Sequence, residues 1–407
     1  MSKTIFFSVG EPSGDEHAAH LIEALRREVP GVQVRGFGGR EMKRAGCAID
    51  LDLTEHAVVG ILEVLPKLRQ FFRFVDQAEA IFAAGKVDAV VLVDFPGFNW
   101  HIAKRAKKYG IPVYYYCPPQ LWAWASWRIR KMKATVDHVL AVLPIEQSFF
   151  SAHQIPTTFV GHPFFDAVDQ TVLNQTNVDS IRRVSGEHQT TVAVLPGSRT
   201  SEVTKNWPVM LEAIAILSRQ HPGTRFAVAA YRDKHLAFCQ STYQQYVDRE
   251  GNDLPLDFYQ GATSEIVDQS RCAMMVSGSV SLELMARCKP AVVLYRVGRF
   301  LYAFGKCVVK VDSVTLPNLM PDPESNQRPF PEKISVGNPI PARDFLVDQI
   351  GALLSDDALL NQRRQQLARL NRLYAQTGAS ERAAKKIAEL LSGVSKIGHL
   401  PDREKAA

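Results

Sequence analysis

Residues 192–202, VAVLPGSRTSE, constrain this chain more than any other stretch. Four apolar residues suit a buried strand, Pro196-Gly197 suits a tight turn, and a helix opens behind it. A strand that ends this way presents free backbone N–H groups, which with the helix dipole favour an anion. Arg199 adds a cationic fork able to grip a phosphate through paired hydrogen bonds, and Glu202 either holds that fork or caps the helix. The plainer reading is a strand–helix turn with a surface arginine. Residues 274–285, MMVSGSVSLELM, repeat the plan: an apolar strand, then Ser277, Gly278, Ser279 and Ser281, then a helix carrying Glu283. Glycine admits a ligand close to the backbone and serines can donate to phosphate oxygens. Glu283 can accept from two ribose hydroxyls, or can complete a cap with a serine. Two such strand ends in one alternating segment predict a nucleotide-diphosphate site at the carboxyl edge of a parallel sheet.

The rest of the chain follows the same alternation, which predicts an α/β protein with two parallel sheets. The first half reads as strands over 5–9, 32–37, 88–93, 113–117, 136–143 and 159–160. The second reads as strands over 192–195, 225–229, 257–259, 273–276 and 291–294, then helices to residue 392. Residues 166–189 are polar and poor in aromatics, so the linker is placed there. With 407 residues, 46% of them apolar, the chain has material for two cores. Six scattered cysteines favour reduced thiols over a disulfide framework or a zinc site. The short apolar run at 5–9 is no signal peptide, so a cytoplasmic protein is expected. The net charge of +6 fits a nucleotide or an anionic membrane, and no Lys/Arg block is dense enough for nucleic acid.

Three further stretches carry candidate chemistry. The first strand runs into GEPSGD (10–15), a glycine-bearing loop with Glu11, Ser13, Gly14 and Asp15, chosen either for ligand contacts or for its turn alone. The very apolar strand 88–93 ends in Asp94, followed by FPGFN. A carboxylate there is poorly solvated, which raises its pKa and suits a general base; the alternative is a cap for the next helix. Trp122, Trp124 and Trp127 lie within six positions and are followed by Arg128, Arg130 and Lys131, and core packing explains one of the three tryptophans more easily than all. Separately, residues 58–75 mix Val58, Ile61, Leu62, Leu65, Leu68, Phe71 and Phe72 with Lys67, Arg69 and Arg73. This segment reads equally as a membrane-interface or acyl-binding element and as a helix packed on its own domain.

In order along the chain, GEPSGD, the Pro118–Arg128 stretch with its Trp-Ala-Trp, Val160-Gly161-His162-Pro163, LPGSR with Glu202, Ser277-Gly278 with Leu282-Glu283, Tyr295-Arg296 and Leu316-Pro317-Asn318 resemble the lipid-A-disaccharide synthase family. The resemblance implies a GT-B glycosyltransferase fold. It implies two Rossmann-like domains facing a cleft: 1–170 for the acceptor and membrane, 190–345 for the UDP-sugar, and helices 346–395 crossing back to the first. It implies no metal and no cofactor, and inverting transfer from UDP-2,3-diacylglucosamine to 2,3-diacylglucosamine 1-phosphate (lipid X). It implies peripheral association with the inner membrane's cytoplasmic leaflet, and a homodimer in some members. By position it assigns catalysis to Asp94, Glu11 and Arg199. It assigns UDP binding to Ser13, Gly14, Gly197, Ser198, Arg199, Glu202, Ser277, Gly278, Ser279, Ser281, Glu283 and Asn318. It assigns the acceptor and membrane side to residues of 58–72 with Trp122, Trp124 and Arg128. The family often carries a second aspartate where this chain has Gly97, so the base falls to Asp94. The rival readings are another GT-B UDP-sugar enzyme, either an epimerase or a transferase for a soluble acceptor, and a non-catalytic nucleotide-binding paralogue.

Overall fold

A computed structural model describes residues 2–56, 68–185 and 190–397. The chain divides into two units, Met1–Asp166 with Thr377–Ala407, and Ala167–Gln376.

The first unit holds a seven-stranded parallel sheet. Its strands are β1 (Thr4–Val9), β2 (Gln33–Gly38), β3 (Ala48–Asp52), β4 (Ala89–Val93), β5 (Val113–Tyr116), β6 (His138–Ala141) and β7 (Thr157–Phe159), in the order β3-β2-β1-β4-β5-β6-β7. The second unit holds a six-stranded parallel sheet of β8 (Thr190–Leu195), β9 (Thr224–Ala230), β10 (Leu256–Gln260), β11 (Cys272–Met275), β12 (Ala291–Arg296) and β13 (Glu332–Ser335), in the order β10-β9-β8-β11-β12-β13. The central strands are buried at every position but Thr190, as a parallel sheet covered on both faces requires. In each sheet the order reverses once, between β1 and β4 and between β8 and β11. Ligands of open α/β sheets bind at such switch points, beyond the carboxyl ends of the strands.

Sequence patterning missed β3 and β13. Both are edge strands, and both are largely half-buried and polar, so neither makes a sustained apolar run. The GEPSGD loop is shorter than expected. A helix starts at Pro12, whose fixed φ and missing N–H suit the first helical position. The expected linker over 166–189 instead carries helices Pro163–Gln170 and Gln175–Ser185. The latter buries Val178 and Ile181, three apart on one face, and Asn174 N–H donates to Glu265 at 2.8 Å. It belongs to the second unit, which therefore begins near residue 167.

The expected block of crossing helices, 346–395, is also divided. Ile340–Ser355 and Asp357–Tyr374 stay with the second unit, and only Ala379–Ile397 returns to the first. Asp166 fixes that return: its buried carboxylate accepts from the Gly378 amide at 2.6 Å and the Ser380 amide at 3.3 Å, at the helix start. The helix then packs along Pro12–Glu28.

Candidate active site

The first switch point is built around a strained turn. After β4, Asp94 and Phe95 take φ of 45° and 46°, two consecutive left-handed residues without a glycine. Each such residue costs of order 1–3 kcal/mol and persists only where its surroundings over-determine it. The surroundings here are specific. Tyr115 O–H donates to the Asp94 carbonyl at 2.8 Å, and the buried Asn99 amide donates to the same carbonyl at 2.7 Å. Asn99 also reaches the Ser8 carbonyl at 3.2 Å, and Ser8 Oγ donates back to its Oδ1 at 2.7 Å. Gly10 lets the Phe95 ring close over β1: a Cβ there would stand 2.1 Å from Phe95 Cδ1.

This turn presents Asp94 to a cavity of about 310 Å³, also lined by Ser13, Glu146, His162, Trp124 and Arg128. Burial, and then the charge of Glu11, push the Asp94 carboxyl up to about 6. Glu146 is fully enclosed and is pushed up to about 7 by burial, although the Val142 and Leu143 amides donate to it at 2.9 and 3.1 Å. His17 and His162 also line the space, and burial lowers them to about 4 and about 3, so both rings are neutral at pH 7. His162 Nδ1 accepts from the Phe164 amide at 3.2 Å, which leaves the ring proton on Nε2. The cavity therefore combines two carboxyl groups, half-buried Asp94 and buried Glu146, with the Arg128 guanidinium, which lies 5.2 Å from the ring centre of the exposed Trp124. Of the three tryptophans, Trp122 is core, while Trp124 and Trp127 are 44% and 61% exposed. Glu146 and the Asn99–Tyr115 support were not singled out from sequence; a glutamate two residues after Leu143-Pro144 was the available sign.

The second switch point differs in detail from expectation. Gly197 takes φ +123°, and a Cβ on it would stand 2.7 Å from Glu202 Cβ. Glu202 both caps and pairs: Oε2 accepts from the Ser198 and Arg199 amides at 3.2 Å each, and Oε1 accepts from Arg199 at 2.9 Å. The amides expected to be free for an anion thus already hold a carboxylate. Across the switch point, Ser277 Oγ donates to the Val314 carbonyl and Ser281 Oγ to the Gly278 carbonyl at 2.7 Å. Those two hydroxyls were expected to donate to phosphate and instead fasten the turn. Gly278 and Ser279 are exposed, and the space beside Gly278 is open. Glu283 is buried and accepts from Arg287 at 3.0 Å, one turn on.

Other assignments are corrected. Ser13 lines the Asp94 cavity of the first unit. Gly14 serves packing: a Cβ would meet Val9 Cγ1 at 3.1 Å. Asp15 caps the helix Arg40–Arg44, accepting from Gly39 at 2.7 Å and Glu41 at 2.8 Å. Asn318 has both ends of its amide on the Phe330 backbone, at 2.8 and 3.0 Å, because it holds a loop closed. Val58, Ile61, Leu62 and Leu65 lie outside the described residues, as does the Leu68 side chain. Beyond them, helix Leu68–Ala83 packs inward through Phe71, Phe74 and Val75, and Phe72 is 45% exposed. Phe71 stands edge-on to Phe98 at 5.0 Å, so it is a core contact rather than a membrane one.

The two parallel sheets give this protein the GT-B fold. It resembles the S. aureus MnaA–UDP co-structure at a TM-score of 0.64 and 13% identity, over 96% of this chain and 97% of that one. It resembles UDP-GlcNAc 2-epimerase from Neisseria meningitidis bound to UDP-GlcNAc at a TM-score of 0.62 and 12% identity, over 97% and 100%. These likenesses establish fold. The family follows from sequence: residues 5–339 match the lipid-A-disaccharide synthetase model. Lipid-A-disaccharide synthase from Syntrophus aciditrophicus is 34% identical over 386 residues, 94% of this chain and 96% of that protein. The chain belongs to the lipid-A-disaccharide synthetase family.

Proposed function

We propose that the protein joins UDP-2,3-diacylglucosamine to 2,3-diacylglucosamine 1-phosphate, giving the β-1,6-linked disaccharide 1-phosphate and UDP. The acceptor 6-hydroxyl oxygen attacks C1 of the donor with inversion. The C1–O bond to the diphosphate breaks, its electron pair leaves with UDP, and the hydroxyl proton passes to Asp94. The observation that carries this reading is Asp94 itself: a half-buried carboxylate on a strained, doubly held turn, opening into a cavity, with its pKa raised to about 6. A base with that pKa is ionised at neutral pH and still basic enough to share a proton in the transition state. Arg199 and the open Gly278–Ser279 turn are the groups assigned to the leaving diphosphate, whose growing charge fixed donors stabilise by roughly 3 kcal/mol each. Before they act, the diphosphate must compete with Glu202 for the Ser198 and Arg199 amides.

The acyl substrates imply work at a lipid surface, which we place on the segment 58–70 and on the exposed side chains of Phe72, Trp124 and Trp127. Among the described residues no helix is long and apolar enough to cross a membrane. Flotation of the full chain with anionic liposomes tests the surface association, and sedimentation equilibrium tests a homodimer. Turnover of the two lipid substrates, read as UDP release with disaccharide formation, tests the reaction. UDP release without the disaccharide would reject it.

A further inference from the structure

The rim of the Asp94 cavity carries a cation that the transfer chemistry does not use. Arg128 closes the short helical turn Ser126–Arg128, and its guanidinium sits over Trp124. Among the described residues no carboxylate pairs with it. The turn itself is held against strain. Ala125 precedes it with φ 56° although it is not glycine and is buried, and the Arg128 amide donates to the Ala125 carbonyl at 2.9 Å. Trp122 and Ala125 point into the core while Trp124 is turned outward, so the loop fixes the Arg128–Trp124 pair at the cavity mouth. Strain retained at a site where it presents a side chain is a common mark of ligand binding.

The same cavity is also lined by carboxyl groups. Glu146 is buried and Asp94 half-buried, and an anionic group brought beside them would meet like charge. A ligand with a neutral hydroxyl end and an anionic end therefore has one favourable orientation. Its hydroxyl goes to Asp94, and its anion goes to Arg128, with Gln120 and Ser13 also on the lining. A volume of about 310 Å³ is at the small end for a ligand pocket and suits a sugar headgroup rather than acyl chains.

We infer that Arg128, held over Trp124, is a phosphomonoester clamp that reads the phosphate at the reducing end of the acceptor sugar and so turns its far hydroxyl toward Asp94. The inference rests on the transferase reading above and adds the group that selects and orients the acceptor. Guanidinium pairs with phosphate oxygens in a way a point charge does not reproduce, so lysine is a partial substitute only.

The test uses the full chain in nonionic detergent, free of phospholipid, with two acceptors: 2,3-diacylglucosamine 1-phosphate and the same sugar without its phosphate. Wild type should prefer the phosphorylated acceptor. In Arg128→Gln the ratio of kcat/KM between the two acceptors should collapse by roughly 10- to 100-fold, the range for a lost charge-assisted pair. Arg128→Lys should fall between, and the KM for the UDP-sugar should move less than about twofold. A ratio unchanged in both variants overturns the clamp, as does an equal loss on both acceptors. If Arg128→Gln lowers flotation on anionic liposomes while its acceptor ratio stays at the wild-type value, the arginine serves membrane phosphate and the acceptor assignment is overturned. Binding of glucosamine 1-phosphate against glucosamine, read by tryptophan fluorescence, separates this inference from the reaction. A wild type that turns over neither acceptor yet prefers glucosamine 1-phosphate, with the preference lost in Arg128→Gln, breaks the transferase reading and leaves the clamp standing. Absence of that preference in wild type overturns the clamp.

Discussion

At the end of β4 the chain turns left-handed twice, at Asp94 and Phe95, and holds the strained backbone with Asn99 and Tyr115. At the end of β8 it turns at Gly197 and closes the following amides with its own Glu202. Both turns sit at the switch point of a parallel sheet. One uses neighbouring side chains to keep a carboxylate exposed to a cavity; the other uses a carboxylate to quiet a helix start until something more anionic arrives. The first arrangement suits a group that must be ready before its substrate, with its raised pKa maintained by burial. The second suits a binding turn, where satisfied amides spare the helix an uncapped start.

The sharpest way to break this contrast is at Asp94. Asp94→Asn keeps shape and hydrogen bonding but cannot take a proton, so kcat should fall by about 10²- to 10⁴-fold. Stability should respond in the opposite sense. The folded pKa, about 6, lies above the ordinary 3.8, so the stability linked to protonation is complete below about pH 3.8 and is lost as pH rises through 6. At pH 7 the charged, half-buried Asp94 therefore works against the fold, and Asp94→Asn should melt slightly higher than wild type by calorimetry. In wild type, kcat/KM should fall about tenfold per pH unit below about 6. A variant with near-normal kcat would make Asp94 a prop of the turn and pass the search for a base to Glu11.

On the second sheet, Arg199→Ala should lower kcat by about 10²- to 10³-fold if the side chain meets developing charge. Its ion pair with Glu202 is 67% exposed on the arginine side, so melting should barely change. Normal turnover would leave the β8 turn as a plain cap and put the diphosphate elsewhere.

Between these in kind, Gly10→Ala tests the packing that aims Asp94. The added methyl would stand 2.1 Å from the Phe95 ring, an overlap that the ring and its turn must absorb. Overpacking of this sort costs about 1–3 kcal/mol, seen in urea unfolding. If the turn moves rather than β1, kcat should fall by roughly tenfold as well, since a displaced base loses its alignment. Loss of stability with full activity would show that Phe95 can yield without moving Asp94.

How much of this was legible in the sequence follows from distance along the chain. The strand ends were legible because an apolar run, a small-residue turn and a helix start are local and contiguous, as at 88–94 and 192–202. The family-wide assignments came from such short motifs. The support of the Asp94 turn was not legible, because Ser8 and Asn99 are 91 residues apart and nothing in either neighbourhood announces the other. Serines and amides were over-read for the same reason. Ser277 and Asn318 have the right donors, but their partners Val314 and Phe330 are backbone groups of later loops, and backbone acceptors leave no trace in residue type. Trp122 and Trp124 are two residues apart and chemically alike, yet one is core and the other lies at the cavity rim.

The smallest expected effect separates a cap from a gate at the β8 turn. Glu202→Gln keeps an oxygen that can accept from the Ser198 and Arg199 amides, so the helix start loses only the charge term, about 0.3–1 kcal/mol of stability. The same change releases Arg199 from its ion pair and removes a negative charge from the place assigned to the diphosphate. If UDP must displace that carboxylate, the variant should bind UDP severalfold tighter by calorimetric titration, most visibly at low salt where screening is weak. If Glu202 instead holds Arg199 in the orientation that meets the diphosphate, freeing the arginine costs alignment, and UDP should bind more weakly at every ionic strength. The two outcomes have opposite signs, so even a twofold change decides whether the second switch point waits with its site occupied by its own carboxylate or with its arginine already aimed.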